Sequence, residues 1–346
     1  MIHTAEQQDL ASSVRGLLAK HANVRTAIES ETGYDAELWR ILCNQIGVAA
    51  LAIPEELGGI GVGAVESHLV LEELGKLLVP TPMLGSVVLA AQTLLAIGDD
   101  ETNARLLPAI AEGTSIAALC WASESGWDDI GVSFDGELLS GAAHYVLDGA
   151  HSDVLVVVAQ CGDEITFFEV DPTLVRRRQV RGMDPTRRFA LVEFDNTPGR
   201  RIGGDRAVLE RVRTIACTAL AAEQVGAADR CLAATVEYTK SRVQFGRPIG
   251  SFQALKHRMA EMFALVETAR SASYAATDSL AAADAAVAKV YCSEAFSHVA
   301  AESIQMHGGI AITWEHDAQL YFKRAHGSSQ LFGSPATYVR RFAQSA

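Results

Sequence analysis

Residues 241–253 read Ser-Arg-Val-Gln-Phe-Gly-Arg-Pro-Ile-Gly-Ser-Phe-Gln and separate two long, alanine-rich stretches whose apolar residues have helical spacing. Because Gly and Pro interrupt helices, this segment predicts a tight connection between two helices. The flanking helices are predicted over 208–242 and 252–284, and a further helix over 285–306. The C-terminal part of the chain, residues 205–346, is therefore predicted to be a helical bundle.

The two preceding parts of the chain have different patterns. Over residues 114–204, short runs rich in Val, Phe and Ile alternate with turn residues, which predicts an antiparallel β domain with hairpins. Over residues 1–113, apolar residues recur at i, i+3 and i+4 between Gly- and Pro-containing loops, which predicts a helical domain. The fold class is therefore α+β, with three domains at 1–113, 114–204 and 205–346.

The charge balance argues against several classes of partner. The 346 residues include 42 acidic and 29 basic side chains, for a formal net charge of −13. Nucleic-acid binding needs clustered cations to neutralise phosphates. No apolar stretch approaches the roughly 20 residues of a membrane span, and residues 1–10 lack the basic start and apolar core of a signal peptide. We expect a cytoplasmic protein with no nucleic-acid or membrane partner.

The cysteines do not indicate a metal or redox site. The six cysteines are far apart and include no Cys-x-x-Cys pair. In a long chain with a large core they are expected to be reduced, buried thiols. The sequence also has no P-loop and no Rossmann fingerprint, so a nucleotide cofactor would need another kind of site.

Four segments resemble signature elements of the acyl-CoA dehydrogenase family and occur in the family's order. Residues 241–253 are similar to its Arg-x-x-Phe-Gly and Phe-Gln signature, and residues 305–309, Gln-Met-His-Gly-Gly, to its Gln-x-x-Gly-Gly element. Residues 53–61 resemble its N-terminal Pro-Glu-Glu turn, and residues 182–195 the end of its middle domain. The resemblance implies an N-terminal helical bundle, a middle antiparallel β domain and a C-terminal four-helix bundle. It also implies FAD-dependent α,β-dehydrogenation of an acyl-CoA thioester.

The resemblance assigns the ADP half of FAD, shared with a neighbouring subunit, to these segments. An arginine at a helix end offers a permanently charged donor fork for a pyrophosphate, and an aromatic ring can cover an apolar edge. Glutamine side chains can hydrogen-bond the same ligand, and paired glycines allow close backbone approach. Taken singly, each residue is also typical of an ordinary helix end, solvated position or C-cap. The predicted cofactor-binding residues are Arg242, Phe245, Gln253, Gln305, Gly308 and Gly309.

Both positions at which family members carry the catalytic glutamate hold other residues. The position before the Gly-Ser pair of the C-terminal loop is Phe332, and the alternative position on the preceding long helix is Ala216. Neither side chain can accept a proton. Glu223 lies two turns along the same helix face, roughly 10 Å away, and is more typical of a hydrogen-bonded helix carboxylate. His326 is the other titratable candidate, with an ordinary surface histidine as its alternative.

The middle domain also departs from the family pattern. Residues 123–129, Ser-Glu-Ser-Gly-Trp-Asp-Asp, replace a Thr-Glu-Pro-Gly loop, and Leu147 stands where a threonine would hydrogen-bond the flavin ring. The ADP-binding motifs are intact, whereas the ring pocket and the base are changed. This combination resembles the shorter, base-less chains of the α2β2 acyl-CoA dehydrogenases that actinobacteria use on steroid side-chain thioesters.

Three functions are compatible with the sequence. The first is a non-catalytic subunit that completes the FAD site of a homologous catalytic partner, with an electron-transfer flavoprotein as acceptor. The second is a self-sufficient homo-oligomeric dehydrogenase with an atypical base, such as Glu223 or His326. The third is a flavin-free scaffold. Replacing Arg242 in an active assembly separates the third from the others, because only the first two need a pyrophosphate contact.

Overall fold

The N-terminal part of the protein is helical. The computed structural model describes residues 3–345; residues 1, 2 and 346, which fall in the first and last predicted domains, lie outside the described residues. The apolar run Met83–Ala91 forms a π-helix that continues directly into a following α-helix, which the sequence pattern did not predict. The helices are α1 (Ala5–His21), α2 (Val24–Glu29), α3 (Ala36–Ile46), α4 (Ala64–Lys76), α5 (Gln92–Ile97) and α6 (Asp100–Ala111), with a short 3-10 helix at Glu55–Leu57.

The middle part forms one large sheet. Its strands follow the order β10-β7-β6-β4-β5-β9-β8, with β1 beside β6, and β2 and β3 form a separate small hairpin. The strands are β1 (Ala117–Cys120), β2 (Ala122–Ser123), β3 (Gly126–Ile130), β4 (Val132–Phe134), β5 (Leu139–Leu147), β6 (Val154–Cys161), β7 (Glu164–Val170), β8 (Arg176–Val180), β9 (Phe189–Thr197) and β10 (Arg200–Gly203), with a 3-10 helix at Pro172–Leu174.

The sheet is antiparallel in most of its pairings, as predicted, and departs from that prediction at two places. β1 pairs in parallel with β6, with Ala117 opposite Val154, and β4 makes a parallel bridge to β6 at Ser133 and Gln160. Parallel neighbours cannot be joined by a hairpin. Each of these pairs is separated in the chain by other strands, so local turn signals carry no information about their direction.

The C-terminal part is a bundle of long helices. Helices α7 to α10 pack around buried apolar side chains such as Leu232, Met262, Phe296 and Leu320. The elements are α7 (Arg206–Ser241), β11 (Val243–Gln244), β12 (Arg247–Pro248), α8 (Gln253–Ser279), α9 (Ala282–His307), α10 (Ala318–Gln330) and α11 (Pro335–Ser345), with 3-10 helices at Ile249–Ser251 and Gly308–Ile312.

Helix α8 ends earlier than the sequence pattern predicted. Leu280 adopts a left-handed conformation with φ of 47°, and α9 begins at Ala282 rather than at residue 285. Glycine usually occupies such a helix-ending position, because other residues are strained there. The break was missed since an apolar leucine gives no stop signal.

The described chain contains neither disulfides nor a membrane-spanning helix. All six cysteines are free, and five of them are buried. Within residues 3–345, no helix is both long and apolar enough to cross a bilayer.

Candidate cofactor interface and catalytic loop

Three helix ends meet at one end of the C-terminal bundle. The hydroxyl of Tyr238, one turn before the end of α7, donates a hydrogen bond of 3.2 Å to the carbonyl of His307, the last residue of α9. Arg258, in the second turn of α8, pairs with Glu302 near the end of α9. The fold therefore gathers all six predicted cofactor-binding residues at this end, which we call the ADP end: Arg242, Phe245, Gln253, Gln305, Gly308 and Gly309.

Phe245 occupies a strained and exposed turn at the ADP end. Phe245 and Gly246 link β11 to β12, and both have positive φ, 54° and 77°. A positive φ is costly for a bulky residue. The Phe245 side chain is nevertheless 91% exposed and touches only the edge of Phe252, with ring centroids 6.1 Å apart. The two-residue hairpin between β11 and β12 requires positive φ at both of its central residues, and this turn leaves the Phe245 ring exposed to solvent.

The polar groups of the ADP end are free to bind a ligand. Arg242 is exposed, and its guanidinium makes no hydrogen bond or ion pair within residues 3–345. Gln305 is also exposed, and Gln253 contacts only the ring of His257. No atom lies within 4 Å of an added Cβ on either Gly308 or Gly309, so a ligand can approach this turn closely, while the Gly308 N–H itself donates to the Ile304 carbonyl. A positive donor fork beside accessible backbone fits the ADP half of FAD.

The catalytic-loop position is filled by aromatic rings. Phe332, just after α10, is fully buried. Its ring stacks on Trp121 at 6.3 Å with an interplanar angle of 8°, and meets the edge of Trp127 at 5.0 Å. We call these three side chains the aromatic cluster. The other base position, Ala216, is also fully buried within apolar core. The structure thus places no proton acceptor at either position.

Arg213 fixes the aromatic cluster to α7. Its guanidinium lies 4.8 Å from the Trp121 ring centroid, and it donates to the Trp127 carbonyl and to Asp128 Oδ1, both at 3.0 Å. A buried cation over a tryptophan face is a favourable contact. The sequence analysis singled out neither Trp121 nor Arg213; two tryptophans at the start of the β domain were the available signal.

A solvent-open cleft remains beside the aromatic cluster. It has a volume of about 510 Å³ and is lined by Trp127, Tyr145, Phe189 and Ser334, among others. Leu147, where the family has a threonine, is 6% exposed and packs into apolar core. The hydroxyl that would hydrogen-bond a flavin ring is therefore missing. The residues of this cleft fit a flavin ring less well than the residues of the ADP end fit ADP.

Of the two other base candidates, Glu223 is held in an ion-pair network and His326 is exposed to solvent. Glu223 is buried, and its Oε1 accepts from both Arg187 and Arg324. Arg324 also donates to Asp184 Oδ2 at 2.7 Å, which completes a buried ion-pair network. Glu223 is therefore the hydrogen-bonded helix carboxylate described above as the alternative to a base. His326 is exposed on α10, with its ring 4.4 Å from that of Phe322.

A buried lysine holds the loop that carries Phe332. Lys289 is fully buried on α9, and its Nζ donates to the carbonyls of Ser328 and Ser329, at 3.2 and 2.8 Å, in the last turn of α10. The Ser328 carbonyl also accepts from the N–H of Leu331, the residue that ends α10, so the lysine adds a second bond there and caps the end of the helix from inside. Burial lowers the pKa of Lys289 to about 8. No local pattern indicated the role of this lysine, because its partners lie far along the chain.

Comparison with known families identifies the class of protein. Residues 4–114 match the acyl-CoA dehydrogenase N-terminal domain, and residues 207–345 match the acyl-CoA dehydrogenase C-terminal domain. The chain belongs to the acyl-CoA dehydrogenase family. The three-part fold predicted from sequence is confirmed, and FAD is the cofactor of this family.

One curated relative and two solved structures are similar to this chain over nearly its whole length. The chain is 45% identical to the acyl-CoA dehydrogenase IpdE2 of Mycobacterium tuberculosis over 97% of this chain and 96% of that protein. It also resembles the ChsE4-ChsE5 complex from the same organism, with a TM-score of 0.91 and 29% identity over 99% of this chain and 97% of that one. The Tcur3481-Tcur3483 steroid ACAD variant matches with a TM-score of 0.90 and 28% identity, over 98% and 97% of the two chains.

Proposed function

We propose that this chain is the non-catalytic subunit of a hetero-oligomeric acyl-CoA dehydrogenase and holds the ADP half of an FAD whose ring lies in a homologous catalytic subunit. One contrast carries the proposal. The residues suited to ADP are exposed and gathered at one end of the bundle, whereas the position of the base is filled by the buried ring of Phe332.

The named relatives support the assembly and the substrate class. Two structural neighbours are pairs of different chains, ChsE4-ChsE5 and Tcur3481-Tcur3483, and the second is described as a steroid ACAD. By analogy, the assembly is α2β2 and its substrate is an acyl-CoA thioester with a steroid-derived acyl group. An electron-transfer flavoprotein accepts the electrons. Six free cysteines agree with a cytoplasmic location.

Most residues of the ADP end have an assignable task in this assembly. FAD, when bound, supplies the hydride acceptor for α,β-dehydrogenation. In this chain, Arg242 would donate to the pyrophosphate and Phe245 would cover an apolar edge of the cofactor. Gln305 and the backbone of Gly308 and Gly309 would bind its polar edges. The carboxylate that takes the α proton belongs to the partner.

Replacing Arg242 in the co-purified complex tests the proposal. Arg242→Ala removes a charge-assisted contact worth about 1.5–3 kcal/mol, so the Kd for FAD should rise roughly 10- to 150-fold. Arg176→Ala, at an exposed arginine of β8, is the matched control and should leave the Kd unchanged. The measurement is a fluorescence titration of FAD into the flavin-depleted complex. An Arg242→Ala complex that binds FAD as tightly as the wild type would refute the proposal and favour the flavin-free scaffold.

A further inference from the structure

Tyr238 joins the two halves of the ADP end through its backbone and its side chain. Its carbonyl accepts from the backbone N–H of Arg242 at 2.8 Å and from the Ser241 hydroxyl at 3.1 Å, which closes the end of α7. Its own hydroxyl donates to the carbonyl of His307 at 3.2 Å, where α9 ends. A single residue is thus hydrogen-bonded to the start of the arginine segment and to the start of the Gly308 turn.

The ring of Tyr238 adds a second connection to α9. It stacks on the ring of His307, with centroids 4.3 Å apart and an angle of 29° between the planes. His307 is 5% exposed, and its Nδ1 lies 2.7 Å from the carbonyl of Ser303. Because a carbonyl only accepts, this nitrogen carries the hydrogen. The imidazole is therefore fixed on both sides, by the helix backbone and by Tyr238.

The residue after His307 needs this fixed starting point. Gly308 has φ of 67° and ψ of −148°, a conformation that residues with a side chain rarely adopt. No atom lies within 4 Å of a Cβ added to Gly308, so no neighbour packs against that side of the residue. The N–H of Gly308 closes α9 by donating to the Ile304 carbonyl, and the Tyr238 hydroxyl holds the carbonyl of His307, so the direction in which the Gly308–Gly309 backbone leaves the helix depends on these two bonds.

We propose that Tyr238 and His307 are positioning residues that keep the Arg242 segment and the Gly308–Gly309 backbone in register for one ligand. This inference rests on the proposed function, since the ligand in question is the ADP half of FAD. Neither residue needs to touch the cofactor. Preorganised donors bind more tightly than mobile ones, because less freedom is lost on binding.

Two substitutions of Tyr238 test the role in the co-purified complex. Tyr238→Phe keeps the ring stack and loses one hydrogen bond, so the Kd for FAD should rise about 2- to 10-fold. Tyr238→Leu loses both the stack and the bond, and the Kd should rise further, roughly 10- to 100-fold. Tyr291→Phe, a half-buried tyrosine of α9 whose hydroxyl has no bond within residues 3–345, is the control and should bind FAD like the wild type.

The KM for acyl-CoA separates positioning from a general structural role. In our proposal the acyl site lies in the partner, so the Tyr238 variants should change the Kd for FAD while the KM for acyl-CoA and the melting temperature stay near their wild-type values. A Tyr238→Leu complex with wild-type FAD affinity would overturn the inference. So would a loss of FAD matched by a raised KM and early melting. Wild-type affinity in Arg242→Ala would instead refute the proposed function itself.

Discussion

The ADP end and the aromatic cluster differ in almost every physical respect. At the ADP end, Phe245 is 91% exposed, and the guanidinium of Arg242 has no hydrogen bond or ion pair among residues 3–345. In the aromatic cluster, Phe332 is fully buried and Trp121 is 2% exposed beneath the cation of Arg213. The first region presents exposed side chains to solvent, and the second is part of the core. Substitutions in the two regions should therefore separate cofactor affinity from folding stability.

The largest effect on stability is expected from the buried ion-pair network of Glu223, Arg187 and Arg324. Glu223→Leu would leave the guanidinium groups of Arg187 and Arg324 buried without their shared carboxylate. Breaking a buried pair in this way costs about 3–5 kcal/mol. The free energy of unfolding, measured in urea, should fall by that amount, whereas exposed Glu237→Leu should change it little. A Glu223→Leu chain as stable as the wild type would show that the network is not structural.

The next effect concerns the catalytic loop itself. Phe332→Glu restores the residue type of the family but places a carboxylate among buried rings, at a cost of roughly 3 kcal/mol or more. We expect destabilisation in urea and no dehydrogenation by the chain alone. The control is Val339→Glu, on an exposed face of α11, which should be tolerated. Dehydrogenase activity in a stable Phe332→Glu chain would mean that the aromatic cluster is an adaptable pocket rather than core.

A smaller, pH-dependent effect is expected at Lys289. Burial lowers its pKa from 10.5 to about 8, so between these values the unfolded chain binds more protons than the folded one. Stability contributed by this group therefore rises with pH across that window, by at most about 1.4 kcal/mol per pH unit. Lys289→Met should lack this rise when the two unfolding curves are compared from pH 7.5 to 10. Parallel pH profiles would indicate that folding does not lower the pKa of Lys289.

The smallest effect on stability is expected at the ADP end. Phe245→Gly removes the strain of a positive φ. The free energy of unfolding should therefore stay the same or rise by about 1 kcal/mol or less. The same change should weaken FAD binding by the complex, because the apolar cover is lost. The control is Phe263→Ala, because Phe263 is another exposed phenylalanine, 57% exposed on α8. Alanine is used there because a glycine would weaken the helix. Greater stability together with unchanged FAD affinity would remove Phe245 from the cofactor site.

Local patterns were sufficient to predict most of the fold. The helical spacing along α7 and α9 and the Val- and Phe-rich runs of β6, β7 and β9 each report a periodic, half-buried element. The end of α8 at Leu280 was not predicted, because the neighbouring residues contain no stop signal. The parallel direction of β1 was not predicted either, because it depends on pairing with the distant strand β6.

The candidate site was predictable only in part. The ADP end consists of contiguous motifs at helix ends, so its residues could be named from the sequence. The sequence also showed that Phe332 replaces a base, but it could not show what surrounds the ring. Trp121, Trp127 and Arg213 lie far from Phe332 in the chain, and they meet it only through tertiary packing.

In our proposal, this chain completes an FAD site and does not form one alone. The most direct test is the absorbance near 450 nm, with the molar mass, of the chain purified alone and after co-expression with its homologous dehydrogenase partner. We predict flavin absorbance only in a mixed tetramer. A yellow homo-oligomer that dehydrogenates an acyl-CoA would contradict the claim and would place a flavin ring in the cleft beside Tyr145.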